Sequence, residues 1–224
     1  NYNVTVGDEA GTAITTGDQN TAVGYRALFT NSTGGNNVAL GTYALDLNTT
    51  GANNTALGYL ALSANTEGTL NVAVGKDSMD SNLTGDKNTA VGVDSLQGLT
   101  DADKNVAIGM GALTTDTKGS QSVAVGHEAL ANQNFTSAID CKNTAVGTFA
   151  GNDITTGINN TFVGALCGEK LTDADFNVAL GAHALGLDTL GSKSTALGYY
   201  ALGNQNFTSA TDTYNVAVGY QAGI

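Results

Sequence analysis

The chain has 224 residues, with 8 Lys+Arg against 20 Asp+Glu and a formal net charge of −12. Charged residues make up only 12% of it, against the roughly 25% of ordinary globular domains. That balance excludes binding to nucleic acid or anionic lipid, both of which need Lys/Arg clusters, and no apolar run of ~18 residues predicts membrane insertion.

Along the chain one phrase returns: NTAVGYRAL at 20–28, NVALGTYAL at 37, NTALGYLAL at 54 and NVAIGMGAL at 105. With the Asn as position 0, the starts are Asn3, Asn20, Asn37, Asn54, Asn71, Asn88, Asn105, Ser122, Asn143, Asn160, Asn177, Ser194 and Asn215. Ten of the twelve steps have the 17-residue spacing of Asn20 to Asn37, and those after Ser122 and Ser194 are longer, reaching Asn143 and Asn215. Residues 105–140 also return at 177–212, as if a block of four repeats had been duplicated. A period this short excludes helix–turn–helix repeats, which need more than about 30 residues.

Within each repeat, positions 1 to 3 read as a short strand, with Val or Thr at 1 and Val, Leu or Ile at 3. Position 4 is Gly in all thirteen repeats, Gly24, Gly41, Gly58 and Gly75 among them, and marks a turn. Ala-Leu at 7 and 8 begins a second face, followed by a polar return such as Asn-Thr-Thr-Gly. The fold expected is all-β: one parallel β-solenoid over 1–224, of thirteen coils, with a 17-residue repeat and two 21-residue coils. Strands ~4.8 Å apart give a rod of roughly 60 Å.

Stacked coils place equivalent residues in rows. The position 0 asparagines, Asn20, Asn37, Asn54, Asn71, Asn88 and Asn105 among them, are expected to hydrogen-bond along the rod through their amides. Position 12 carries a threonine row. Position 8 becomes Gly at Gly11, Gly151 and Gly168, and there position 11 supplies Ile14, Ile154 and Leu171, a compensation that implies a real core. Positions 1, 2 and 3 are all apolar or small. A strand with one buried face alternates, so the second face calls for a partner.

NTAVGY, SVAVG and NVAIG resemble the head repeats of YadA-type trimeric autotransporter adhesins, and NTAVGYxAL resembles the repeats of phage and algal-virus tail-fibre proteins. The likeness covers essentially the whole chain. It implies a left-handed β-roll in which three chains associate side by side. It implies a homotrimer that contacts a host surface glycan or protein, on a virion tail fibre or an extracellular surface. Adhesin heads usually repeat with a shorter period, and no chaperone domain, coiled-coil stalk or anchor is seen in the sequence. The first and last repeats lack polar caps, so flanking fibre domains or end-to-end stacking are expected.

Four extra residues in a 21-residue coil suit protruding loops, near 131–142 and 203–214. The receptor-contact candidates are therefore Asn132, Gln133, Asn134 and Phe135, with Asn204, Gln205, Asn206 and Phe207. The competing reading folds each Phe back onto the trunk. Asp101, Asp103, Asp173 and Asp175 open like a calcium loop, but its later Gly and Glu are replaced by Val106 and Ala112, and by Val178 and Ala184. Solvated acidic turns, with no metal or other cofactor, are the expectation. Cys141 and Cys167 are too few for a disulfide framework, and Cys167 reads as a small buried side chain. His127 and His183 follow the glycine turn and read as surface residues, and no nucleophile elbow, Walker loop or zinc spacing is present. The chain reads as a fibre segment and not as an enzyme. A bacterial adhesin head is the alternative, and an ice-binding threonine face is a further one, opposed by Glu67, Asp101, Lys118, Asp173 and Leu190 beside the row.

Overall fold

A computed structural model describes residues 2–224 and shows an all-β parallel solenoid with no helix. The chain forms two compact units, one ending at Met110 and one spanning Gly111–Ile224. The first holds seven three-residue strands: β1 (Val4–Val6), β2 (Thr21–Val23), β3 (Val38–Leu40), β4 (Thr55–Leu57), β5 (Val72–Val74), β6 (Thr89–Val91) and β7 (Val106–Ile108). Each pairs in parallel with the equivalent strand of the next coil, so that Val38 faces Thr55 and Thr55 faces Val72.

The second unit holds β8 (Gly119–Ser120), β9 (Val123–Val125), β10 (Ile139–Asp140), β11 (Thr144–Val146), β12 (Thr161–Val163), β13 (Val178–Leu180), β14 (Gly191–Ser192), β15 (Thr195–Leu197), β16 (Thr211–Asp212) and β17 (Val216–Val218). Strands β9, β11, β12, β13, β15 and β17 pair in that order and continue the pattern of positions 1 to 3. At the two long coils, β10 pairs with β8 and β16 with β14.

Alternation decides which side is inside. The position 2 alanines, such as Ala39, Ala56 and Ala179, are fully buried, while positions 1 and 3 face out. The core is completed by the position 7 alanines and position 8 leucines, Leu28, Leu45, Leu62 and Leu185 among them. Those leucines hold left-handed backbone, with φ between 51 and 55°. Side chains at position 6, including Arg26, Tyr43 and Asp77, stand on the same kind of backbone. Non-glycine residues adopt that region rarely, so the coil and its neighbours impose it. At position 4 glycine is required wherever another coil is stacked on it. Gly58 has φ of +143°, and a Cβ there would lie 2.4 Å from the Gly75 carbonyl oxygen.

Two polar rows run through the interior. In the position 0 row, Oδ1 of one Asn accepts the backbone N–H of the next position 0 residue, as Asn54 does from Asn71 at 2.9 Å. Its Nδ2 donates to the position 14 carbonyl of its own coil, from Asn54 to Gly68 at 2.8 Å. An amide-to-amide contact is added from Asn160 Nδ2 to Asn143 Oδ1 at 3.3 Å. The position 0 amides thus hydrogen-bond from coil to coil through main chain, and a direct amide-to-amide ladder lies at position 11, where Asn48, Asn65 and Asn82 each donate Nδ2 to the preceding Oδ1 at 2.7 Å. It ends at Asn82, whose buried Oδ1 has no partner, because position 11 of the following coil is Leu99. Both rows are buried, so their hydrogen bonds are supplied by repeats of the chain rather than by bulk water.

Candidate functional site

The long coils were the leading place for a contact surface. Their candidate residues do not all protrude. Gln133 is fully buried and occupies position 11, the slot held by Asn in many regular coils. Its Nε2 donates to the Asp116 carboxylate and its Oε1 accepts from Asn143 Nδ2 at 2.8 Å. Phe135 is only 6% exposed, and its backbone N–H donates to Asp116 Oδ1 at 3.1 Å. A Cβ on Gly119 would lie 2.9 Å from the Phe135 ring. Phe135 thus folds back onto the trunk. Asn132 and Asn134 alternate with these two and are exposed, as are 136–140.

The second long coil repeats the arrangement. Gln205 Nε2 donates to the Asp188 carboxylate, Gln205 Oε1 accepts from Asn215 Nδ2 at 2.7 Å, and Phe207 N–H donates to Asp188 Oδ1 at 2.9 Å. Gln205 and Phe207 are half-buried, while Asn204 and Asn206 are exposed. Four candidates therefore face solvent, and four anchor the loop. In a regular coil the position 0 amide donates to a position 14 carbonyl, but here position 14 belongs to the exposed insert, as Thr136 or Thr208. Position 0 is accordingly Ser122 or Ser194, which meets the Gln amide at 3.1 Å. Burial pushes the Asp116 carboxyl above its ordinary range, against the lowering effect of its hydrogen bonds from Gln133, Phe135 and Gly119.

The acidic candidates are used internally. Asp103 Oδ1 accepts the Asp86 N–H at 2.8 Å, Asp175 Oδ1 accepts the Ile158 N–H at 2.8 Å, and Asp173 Oδ1 accepts the Thr156 hydroxyl at 2.7 Å. Asp101 Oδ1 accepts from Thr100 at 3.1 Å. Among the described residues no three His, Cys, Asp or Glu converge to hold a metal ion. His127 packs edge-on against Phe149, with centroids 5.1 Å apart, and His183 lies against Tyr199 and Tyr200. Threonines of the position 12 row donate to carbonyls of the next coil, as from Thr49 to Thr66 at 3.0 Å and from Thr155 to Thr172 at 3.2 Å. Those hydroxyl protons point along the array and not toward solvent.

The outer face of the strands is uncovered. In the first unit it carries Val38 (40% exposed), Leu40, Leu57 and Ile108; in the second, Val146, Val178 and Leu180 (47%). Tyrosines flank it, with Tyr25, Tyr43 and Tyr59 in an edge-to-face row at 5.4 and 6.3 Å. Sequence reasoning anticipated an uncovered face, but not that the large side chains would be the ones left outside.

The chain matches no family model. Nor does any curated protein match it. The geometry must therefore carry the functional reading.

Proposed function

We propose that the chain is a structural and adhesive fibre segment: a left-handed β-roll that associates side by side as a homotrimer and presents its long-coil loops to a host surface glycan or protein. The observation that carries this reading is the apolar outer face of the strands. Contiguous exposed apolar surface on a solenoid marks an interaction site, and a row of Val, Leu and Ile at one spacing suits an identical row on another copy. The buried interior is already filled by the position 2 alanines. In this reading a second copy of the chain covers the outer face.

The setting proposed is a viral or phage tail fibre, with a bacterial adhesin head sharing the same design. The resemblance of the repeats supports it, as do sparsely charged coils whose polar loop returns once, from Asn132 to Asn204, four coils on. Light scattering on the intact chain tests the association. Three copies of 22.5 kDa give a particle of roughly 67 kDa. Leu40→Lys with Leu180→Lys places charges on an already exposed face and should return it to a monomer. A wild-type particle at the mass of one chain would overturn the reading.

A further inference from the structure

Resting on the reading of the long-coil loops as the contact surface, we propose that the two loops form one bivalent site for a single neutral, linear polysaccharide. The chain carries its own comparison, since residues 105–140 return at 177–212. Accessible residues of that block differ between the copies: Met110 becomes Ala182, Thr115 becomes Leu187 and Glu128 becomes Tyr200, none of them buried. NQNFTSA at 132–138 nevertheless returns unchanged at 204–210. Packing accounts for Gln133 and Phe135, which anchor the loop to Asp116. It does not account for Asn132, Asn134, Thr136 and Ser137, which are exposed in a copy that has a complete coil on either side. Exposed loop residues that stay the same while their surroundings diverge are held by what they contact.

Both tips are presented alike. The Thr117 hydroxyl donates to Asn134 Oδ1 at 3.3 Å and the Thr189 hydroxyl to Asn206 Oδ1 at 3.3 Å, which leaves each Nδ2 to donate to a ligand. Strands β9, β11, β12, β13 and β15 pair in unbroken register, so the tips stand in one column, about 19 Å apart at ~4.8 Å per coil. Their chemistry is amide and hydroxyl, and no charged residue lies in 132–138. At the base of each loop a carboxylate is neutralised from a different place: Asp140 pairs with Lys142, two residues after it, and Asp212 with Lys193 from the preceding coil. The lysine has moved and the pairing has not, so both loops are neutral. A neutral polyol satisfies such donors and acceptors, whereas an acidic polymer is repelled by the net charge of −12. Two identical tips related by translation match a ligand that repeats along its own length, as a linear polysaccharide does and a single folded receptor does not.

The test is binding of the 224-residue chain to immobilised linear glucan, mannan, galactan and chitin, with polygalacturonate as the acidic control. A polymer that binds is then titrated beside its own disaccharide, which is too short to reach both loops. Asn134→Ala with Thr136→Ala, or Asn206→Ala with Thr208→Ala, should weaken polymer binding by about 10²-fold through loss of the second contact. Disaccharide affinity at the remaining loop should not change, nor should circular dichroism, and altering both loops should abolish binding. A loss of only about twofold on altering one loop, the statistical value for independent sites, overturns bivalency and leaves the loops as contact sites. A polymer that binds equally well with both loops altered overturns the reading of the loops themselves. Binding to polygalacturonate alone, or to none of these polymers, overturns the neutral polysaccharide as occupant.

Discussion

A Cβ on Gly168 would lie 2.6 Å from Cε1 of Phe162, and the Phe162 ring is itself fully buried. The large side chain at position 2 and the missing one at position 8 are two halves of one packing solution.

Phe162→Ala should lower stability by about 3–5 kcal/mol, as expected of a buried aromatic truncated in a site that cannot collapse. Gly168→Leu alone should also destabilise, by collision with the ring. Together the two should recover much of the loss, since Leu occupies the same left-handed backbone at position 8 elsewhere. Denaturant titrations of the double-mutant cycle measure the coupling, and additive losses would refute the link.

Removing Asn54 should act through the backbone. Asn54→Ala strands the buried Asn71 N–H and leaves the Gly68 carbonyl without that partner, at a cost of about 2–4 kcal/mol. Asn54→Asp keeps the acceptor, loses the donor and buries a charge, so it should fall further at neutral pH. Thermal unfolding of the two variants ranks them.

The Asp116 carboxyl is raised above its ordinary range by burial. The native state therefore binds this proton more tightly than the unfolded chain does. Its contribution to stability grows as pH falls through the raised native value, and levels off below the unfolded value. The difference in unfolding midpoint between wild type and Asp116→Asn should widen in favour of the wild type on mild acidification. A difference that does not change with pH would show that Asp116 does not titrate in that window.

Burial pushes the thiols of Cys141 and Cys167 up to about 12. Neither should react with a soluble thiol reagent at mildly alkaline pH in the native protein, since the thiolate is the reactive form. Both should react in denaturant. Rapid native labelling of Cys141 would place the first long coil in frequent local opening.

Much of this architecture was legible because the repeat places each residue type in a row. Strand positions, the glycine turn and the compensation by Ile154 and Leu171, now seen fully buried, followed from spacing alone. The plug of Phe162 did not, because its partners lie in two coils and only coordinates show that the ring reaches both glycines. The frequency of Asn at position 0 signals hydrogen bonding from coil to coil there, but not that its partner is main chain. The direct amide ladder at position 11 involves fewer coils and leaves a weaker signal. Gln133 and Phe135 fall in a stretch whose composition reads as loop. Their alternation with exposed Asn132 and Asn134 was the available signal of a strand-like, half-inward segment. Left-handed leucines such as Leu62 leave no such signal, since Leu disfavours that conformation on its own.

A ladder of near-identical rungs invites slippage, because a chain displaced by one rung still pairs every strand correctly. The Phe162 plug forbids that error: were the preceding coil skipped, its ring would meet Leu130 at position 8 in place of Gly151. The long coils, with a carboxylate matched to a glutamine one rung later, do the same at two further points. The irregular coils are thus the index marks by which an otherwise translation-symmetric chain finds a single threading as it folds.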